Sequence, residues 1–237
     1  MCTVTYLPLG EGVVITSNRD EKTTRARAIP PTEYKVGNST LVYPKDPKAG
    51  GSWIALNENG SMAVLLNGGW RKHKPEAAYG RSRGLVFLDI VSGADMVVAF
   101  YDYDLRDIEP FTLVIYGKGR LSEARWDGTE KHVRDLPVDE PQIWSSVTLY
   151  DAEMRQQRER WFEEWRVNHR RPTVNEIRDF HHSAGEGSSD CGLVINRDDH
   201  MKTVSVTSIH MTAKSGTMKY HDLLDNAEHS FSFSLVN

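Results

Sequence analysis

A cysteine at position 2, directly behind the initiator methionine, becomes the first residue if Met1 is removed. Small second residues permit that removal, and the processed Cys2 then carries both a thiol and a free α-amine. The amine titrates near about 7.7–8.0 and a free thiol near about 8.5, so the amine can take the thiol proton at almost no mismatch and later deliver it to a leaving amine. This is nucleophile and base in one residue, suited to an amide substrate. The competing reading is plainer: a small apolar residue that opens a buried strand.

Arg19 and Asp20 are the next candidates. A guanidinium stays charged and lowers the pKa of a nearby thiol, while a carboxylate holds an ammonium, so Arg19 is the thiolate partner and Asp20 the holder of the α-amine. As surface neighbours the two would form an ion pair worth little. Asn67 offers a side-chain amide to a developing oxyanion, and Gly68 allows a close backbone N–H; Asn-Gly-Gly is equally good turn chemistry. Trp53 reads as core or pocket wall. Strand side chains alternate, so Arg19 and Glu21 should share one face and Asn18 and Asp20 the other.

Other constellations carry less. Gly185-Glu186-Gly187 lacks the lysine and helix start of a phosphate loop, and no cysteine or histidine pair has zinc-ligand spacing, so the expectation is no metal and no cofactor. His181-His182 reads as a helix end. Arg155, Arg158 and Arg160 read as a solvated basic helix face.

These residues need elements to hold them. Residues 3–8 and 13–17 are strand-like around Gly10-Glu11-Gly12, and residues 53–57 and 62–66 flank Asn59-Gly60, the dipeptide of a type I′ hairpin turn. Helical spacing of apolar residues over 82–103 predicts two helices in succession. Runs at 111–116, 120–126, 131–136 and 142–147 read as an antiparallel meander. Asp151 caps a helix to about residue 166 with Met154, Trp161, Phe162 and Trp165 as its apolar stripe, and Thr173 with Glu176 is a capping box for a helix to about 182. Residues 192–196, 203–211, 217–221 and 231–236 complete the strands. The order is that of an α+β protein with segregated antiparallel sheets and helices.

The ordered set Met1-Cys2, Asn18-Arg19-Asp20-Glu21 and Gly50-Gly51-Ser52-Trp53 leading to Asn67 resembles the NRDE family, also called the transport and Golgi organization protein 2 family. The resemblance is strongest over residues 1 to about 70. It implies the fold of N-terminal-nucleophile hydrolases, a four-layer αββα sandwich of two stacked antiparallel sheets between helical layers, over a single domain 1–237. Aligned on Cys2 with the related choloylglycine hydrolases, Asn18 and Glu21 stand where those enzymes carry Arg and Asp, which leaves open which of the four NRDE residues enter the pocket. Ser145-Ser146 stands where many members have Ser-Asn. Cys2, Arg19, Asp20 and Asn67 are therefore expected in catalysis, and Asn18, Glu21, Trp53, Gly68 and Ser146 in substrate binding.

The implied activity is hydrolysis of a non-peptide amide after loss of Met1. The alternative is a non-catalytic carrier of the same fold that handles haem or a lipid-like ligand. Length, 39% hydrophobic and 26% charged residues describe a globular chain, and a net charge of -4 gives no reason to expect nucleic-acid binding. No stretch suits membrane insertion and the start lacks a signal-peptide pattern; with two cysteines, these point to a reducing, cytoplasmic setting. Oligomeric state is not legible.

Overall fold

The computed structural model describes residues 3–74, 76 and 78–235. Cys2, the sequence's candidate nucleophile, lies outside the described residues. Strands β1 (Thr3–Pro8) and β2 (Val13–Lys22) form the first hairpin. Gly12 makes it possible: its φ is +82°, and a Cβ there would sit 1.9 Å from the Met211 carbonyl oxygen. Strands β3 (Ile29–Val36) and β4 (Ser39–Lys45) follow, then β5 (Ile54–Asn57) and β6 (Met62–Asn67). The β5–β6 connection departs from expectation. Only Gly60 takes positive φ, +80°, so Glu58-Asn59-Gly60 form a longer loop closed by Asn57 O accepting from Gly60 N at 3.0 Å, not a two-residue type I′ turn.

Helices α1 (Arg83–Val91) and α2 (Met96–Asp102) are capped by Ser82 and Asp95, whose side chains accept from free N–H groups of the first turns. Strands β7 (Phe111–Gly117), β8 (Arg120–Trp126) and β9 (Lys131–Leu136) form the meander. The left-handed pair Lys118 (φ 52°) and Gly119 (φ 70°) makes the two-residue β7–β8 turn. The fourth strand of the expected meander, β10 (Gln142–Ser145), instead crosses over and pairs with β1, Thr3 opposite Ser145. Helix α3 (Ala152–Asn168) begins at Asp151, and α4 (Val174–Ser183) has the full Thr173–Glu176 capping box.

Beyond α4 the strand expected at 192–196 is a turn-rich segment, and only β11 (Asn196–Arg197) pairs. The cause is local: Gly192 packs on Gly185, the Leu193 N–H goes to Ala184 O, and the carbonyls of 191–193 accept side chains from Asn18 and Arg158. No ladder partner is left for them. Strands β12 (Met201–Met211), β13 (Ser215–Asp222) and β14 (Ala227–Ser234) end the chain's described fold.

Two antiparallel sheets result. One runs β10-β1-β2-β12-β13-β14 with β11 on β12, the other β3-β4-β5-β6-β7-β8-β9. Val4, Tyr6, Ile15, Trp53, Ile54, Val64, Ile209 and Tyr220 fill the space between the sheets. Phe87, Ile90, Phe100, Leu113 and Trp126 join α1 and α2 to the outer face of the second sheet. Leu7, Val14, Phe162, Ile177 and Phe180 join α3 and α4 to the outer face of the first. The order helix, sheet, sheet, helix is the expected four-layer αββα sandwich, and each fully buried large apolar side chain contributes about 1.5–3 kcal/mol to it.

Candidate active site

Strand β2 carries the alternation that builds the site. Thr3 pairs with Asn18, Val206 with Asn18, Ser205 with Arg19 and Thr203 with Asp20, with a bulge at Val204. Asn18 and Asp20 point to the α3/α4 side. The Asn18 amide donates to Leu193 O at 2.6 Å and His181 O at 3.0 Å, and its oxygen meets the His181 ring. Asp20 accepts from the Tyr150 phenol at 2.6 Å and from the Thr203 hydroxyl. The bulge sets Thr203 opposite Asp20 on that face.

Arg19 and Glu21 point the other way, into a cleft of about 350 Å³. The Arg19 guanidinium lies 4.2 Å over the Trp53 ring and meets Glu21 and Asp46, each at 3.4 Å. Burial lowers its pKa from the usual arginine range, against the pull of Glu21 and Asp46. Asp46 is held by the Lys48 and Ala49 N–H groups, both at 2.9 Å, and by Arg25 at 2.8 Å. Burial pushes its carboxyl up, but those N–H groups with Arg25 and Arg19 hold it below its usual value.

Asn67 ends β6 in the wall of the same cleft, beside Trp53 and Leu65. Its carbonyl accepts from Ser146 Oγ at 2.9 Å, and among the described residues its side-chain amide has no hydrogen-bond partner. Ser146 is 1% exposed, braces Asn67 through this bond and is not among the residues that line the cleft. Gly68 takes φ +92° under Val147 and Thr148, and its N–H goes to Pro110 O at 2.9 Å. The Gly68 N–H is thus committed within the fold, whereas the Asn67 side-chain amide is not.

Several site residues escaped the sequence reading. Arg83, at the start of α1, pairs with Glu109 at 3.0 Å in the far wall of the cleft, and Arg81 stands at the rim beside it. Asp46 had a local signal, since Asp-Pro is good Asx-turn chemistry. Arg158 had none. The helix face assigned to solvent holds it 0% exposed, bonded to the Thr3 hydroxyl, Cys191 O and Gly192 O and stacked 3.5 Å over Tyr150. His181, also fully buried, bridges Asn18 and Thr5, and burial, with His182 and Arg158, pushes its pKa down to about 3.

Comparison with solved structures finds the same fold. Penicillin V acylase from Agrobacterium tumefaciens matches at TM-score 0.59 and 10% identity, over 99% of this chain and 86% of that one. The Caenorhabditis elegans ortholog of N-acylethanolamine-hydrolyzing acid amidase matches at TM-score 0.62 and 13% identity, over 88% and 92%. The C2A mutant of conjugated bile acid hydrolase from Clostridium perfringens matches at 0.61 and 11%, over 98% and 92%. At such identities the likeness is one of fold, that of N-terminal-nucleophile hydrolases. Among the described residues no helix is long and apolar enough to cross a membrane. No curated protein matches the chain. A family model described as Transport and Golgi organisation 2 matches residues 1–186, so the chain belongs to that family.

Proposed function

We propose that the chain is a cysteine amidohydrolase of the N-terminal-nucleophile type, acting on a non-peptide amide after removal of Met1. The observation that carries this reading is the meeting of Arg19 from β2 and Asn67 from the end of β6 in one cleft. Thr3, the first described residue of β1, lies opposite Asn18, the neighbour of Arg19 on β2, and Arg19 faces the cleft together with Asn67. The reading requires the Cys2 thiol to reach the cleft beside Arg19 and Asn67. It also requires the α-amine to reach the Asp20 carboxylate.

The α-amine takes the thiol proton and the sulfur attacks the amide carbon. Negative charge develops on the carbonyl oxygen, where the Asn67 amide donates. The C–N bond breaks as the ammonium gives its proton to the departing amine, leaving a thioester. Water then gives a proton to the α-amine and attacks the thioester, and cleavage of the C–S bond releases the acid and restores the thiol. Arg19 favours the thiolate by its charge; Asp20, fixed by Tyr150 and Thr203, favours the ammonium. The carrier alternative, a protein for haem or another hydrophobic ligand in the same fold, has less support because charged side chains dominate the cleft walls.

The test is hydrolysis of a panel of N-acyl anilides by protein whose N-terminus is shown to be Cys2. Release of aniline that Cys2→Ala abolishes supports the reading. Turnover that survives Cys2→Ala in folded protein contradicts it.

A further inference from the structure

The cleft is unusual in its balance of donors and acceptors. Four guanidinium groups line it: Arg19 and Arg83 deep, with side chains 5% and 17% exposed, and Arg25 and Arg81 at the rim, 44% and 46% exposed. Each offers five N–H donors and no acceptor. The carboxylates in the same walls are already engaged. Asp46 accepts from two backbone N–H groups and from Arg25 and Arg19; Glu109 accepts from Arg83 and meets His73; Glu21 accepts from the Lys22 N–H and pairs with Arg19 and Arg25.

The guanidinium groups are not engaged to the same degree. The contacts of Arg19 with Glu21 and Asp46 both run through one nitrogen, Nη2, at 3.4 Å, and its Nε and Nη1 have no protein partner among the described residues. Arg83 reaches Glu109 and the Pro110 carbonyl, and Arg81 reaches Asp89. Donors therefore exceed acceptors around the space a ligand would fill. The lining is more polar than apolar, with Trp53, Leu65, Ala49 and Tyr79 supplying apolar groups, and the volume lies near the lower end for small-molecule sites. Residues 82–84 also bring the positive end of the α1 dipole to this wall.

We infer that this cleft selects ligands whose acyl portion ends in a carboxylate, with the free acid held between Arg83 and Arg81 while the scissile amide lies toward Arg19 and Asn67. A short dicarboxylic monoamide has this chemistry. A long aliphatic or steroidal acyl chain does not, because it would desolvate guanidinium groups without replacing their hydrogen bonds. The inference rests on the amidohydrolase reading only for which bond is cut; the preference for an acid is a property of the cleft itself.

The probes are glutaranilic acid and its neutral partner of nearly the same shape, the primary amide of the same compound, with octananilide as the apolar comparison. Calorimetry on the full processed chain gives the affinity of each, and aniline release gives turnover separately. The acid is expected to bind about tenfold or more tighter than its neutral partner at low salt. That ratio should shrink as salt rises and approach one in Arg83→Met. Because Arg83→Met leaves Glu109 short of a partner and risks misfolding, Arg81→Gln at the rim is the second variant, with a smaller loss of the same ratio. A ratio is independent of the fraction of protein that is folded.

Equal or tighter binding of the neutral amide or of octananilide overturns the inference, as does a ratio that neither variant nor salt changes, or no binding of the acid at all. Selective binding of the acid without aniline release leaves this inference standing and counts against the amidohydrolase reading. Aniline release with no preference for the acid does the reverse.

Discussion

The Arg158 guanidinium lies 3.5 Å over the ring of Tyr150, sealed from solvent, while the Tyr150 phenol donates to Asp20 at 2.6 Å. A helix residue is thereby joined to the end of β2 through one aromatic ring. The same guanidinium ties the Thr3 hydroxyl of β1 to the carbonyls of Cys191 and Gly192. Removing it leaves two buried carbonyl oxygens without a charged donor. Arg158→Met should cost about 3–5 kcal/mol and Arg158→Lys about 1–3 kcal/mol, since lysine keeps the charge but not the planar fork. Urea unfolding checks this; a loss below about 1 kcal/mol in Arg158→Met would show that the contacts carry little.

Two glycines with similar backbone should respond differently to alanine. Gly12 and Gly37 have φ of +82° and +59°, but a Cβ at Gly12 meets Met211 O at 1.9 Å while one at Gly37 meets nothing within 4 Å. Gly37→Ala should cost about 1 kcal/mol, the backbone penalty alone. Gly12→Ala should cost more than about 3 kcal/mol or prevent folding, because strand β12 must move. Comparable thermal midpoints for the two variants would refute the steric argument.

His181 makes stability depend on pH. Its folded pKa is pushed down to about 3, chiefly by burial, from an unfolded value near about 6.5. The unfolded chain therefore binds the extra proton across that window. His181 costs nothing above pH about 6.5, and stability falls by up to about 1.4 kcal/mol per pH unit as pH drops from there toward about 3. NMR should show a His181 imidazole that stays neutral at pH 5 in the folded protein, and His181→Gln should flatten the decline of the urea midpoint between pH 6.5 and 5. Titration of the ring near pH 6 would contradict both.

Arg19 and Asn67 should differ in magnitude. A thiol of pKa about 8.5 is roughly 3% ionised at neutral pH, so lowering its pKa to about 7 raises the thiolate fraction by about one order of magnitude. An oxyanion donor contributes on the order of 10² to 10³ in rate. Asn67→Ala should therefore slow turnover more than Arg19→Ala, and the Arg19 defect should shrink toward pH 9. If Arg19→Ala is the worse variant with a defect flat in pH, Arg19 acts on substrate or fold instead.

Local chemistry carried most of what the sequence revealed. The Thr173–Glu176 capping box, the Asp151 cap and the two-residue period over Asn18 to Glu21 depend on neighbours in the chain, and each stands where the pattern puts it. What was not legible depends on partners far away. Strand β3 carries Pro30-Pro31 directly after its first residue, Ile29, and survives as an edge strand, beyond the reach of an alternation argument. Strand β10 leaves the meander because β1 offers it an open edge. Arg158 sits among charged helix residues, and only the burial of 191–193 against α3 takes it out of water. The Arg83–Glu109 pair joins α1 to the start of β7 across 26 residues.

Peptide mapping of the N-terminal segment decides whether Cys2 is an activated nucleophile. Protein made in cells is treated with iodoacetamide at neutral pH in the folded state, and the N-terminal and Cys191 peptides are weighed. The expected result is a chain that begins at Cys2 and a Cys2 thiol that is alkylated faster than Cys191. A retained Met1, or a Cys2 that reacts no faster than Cys191, would contradict it.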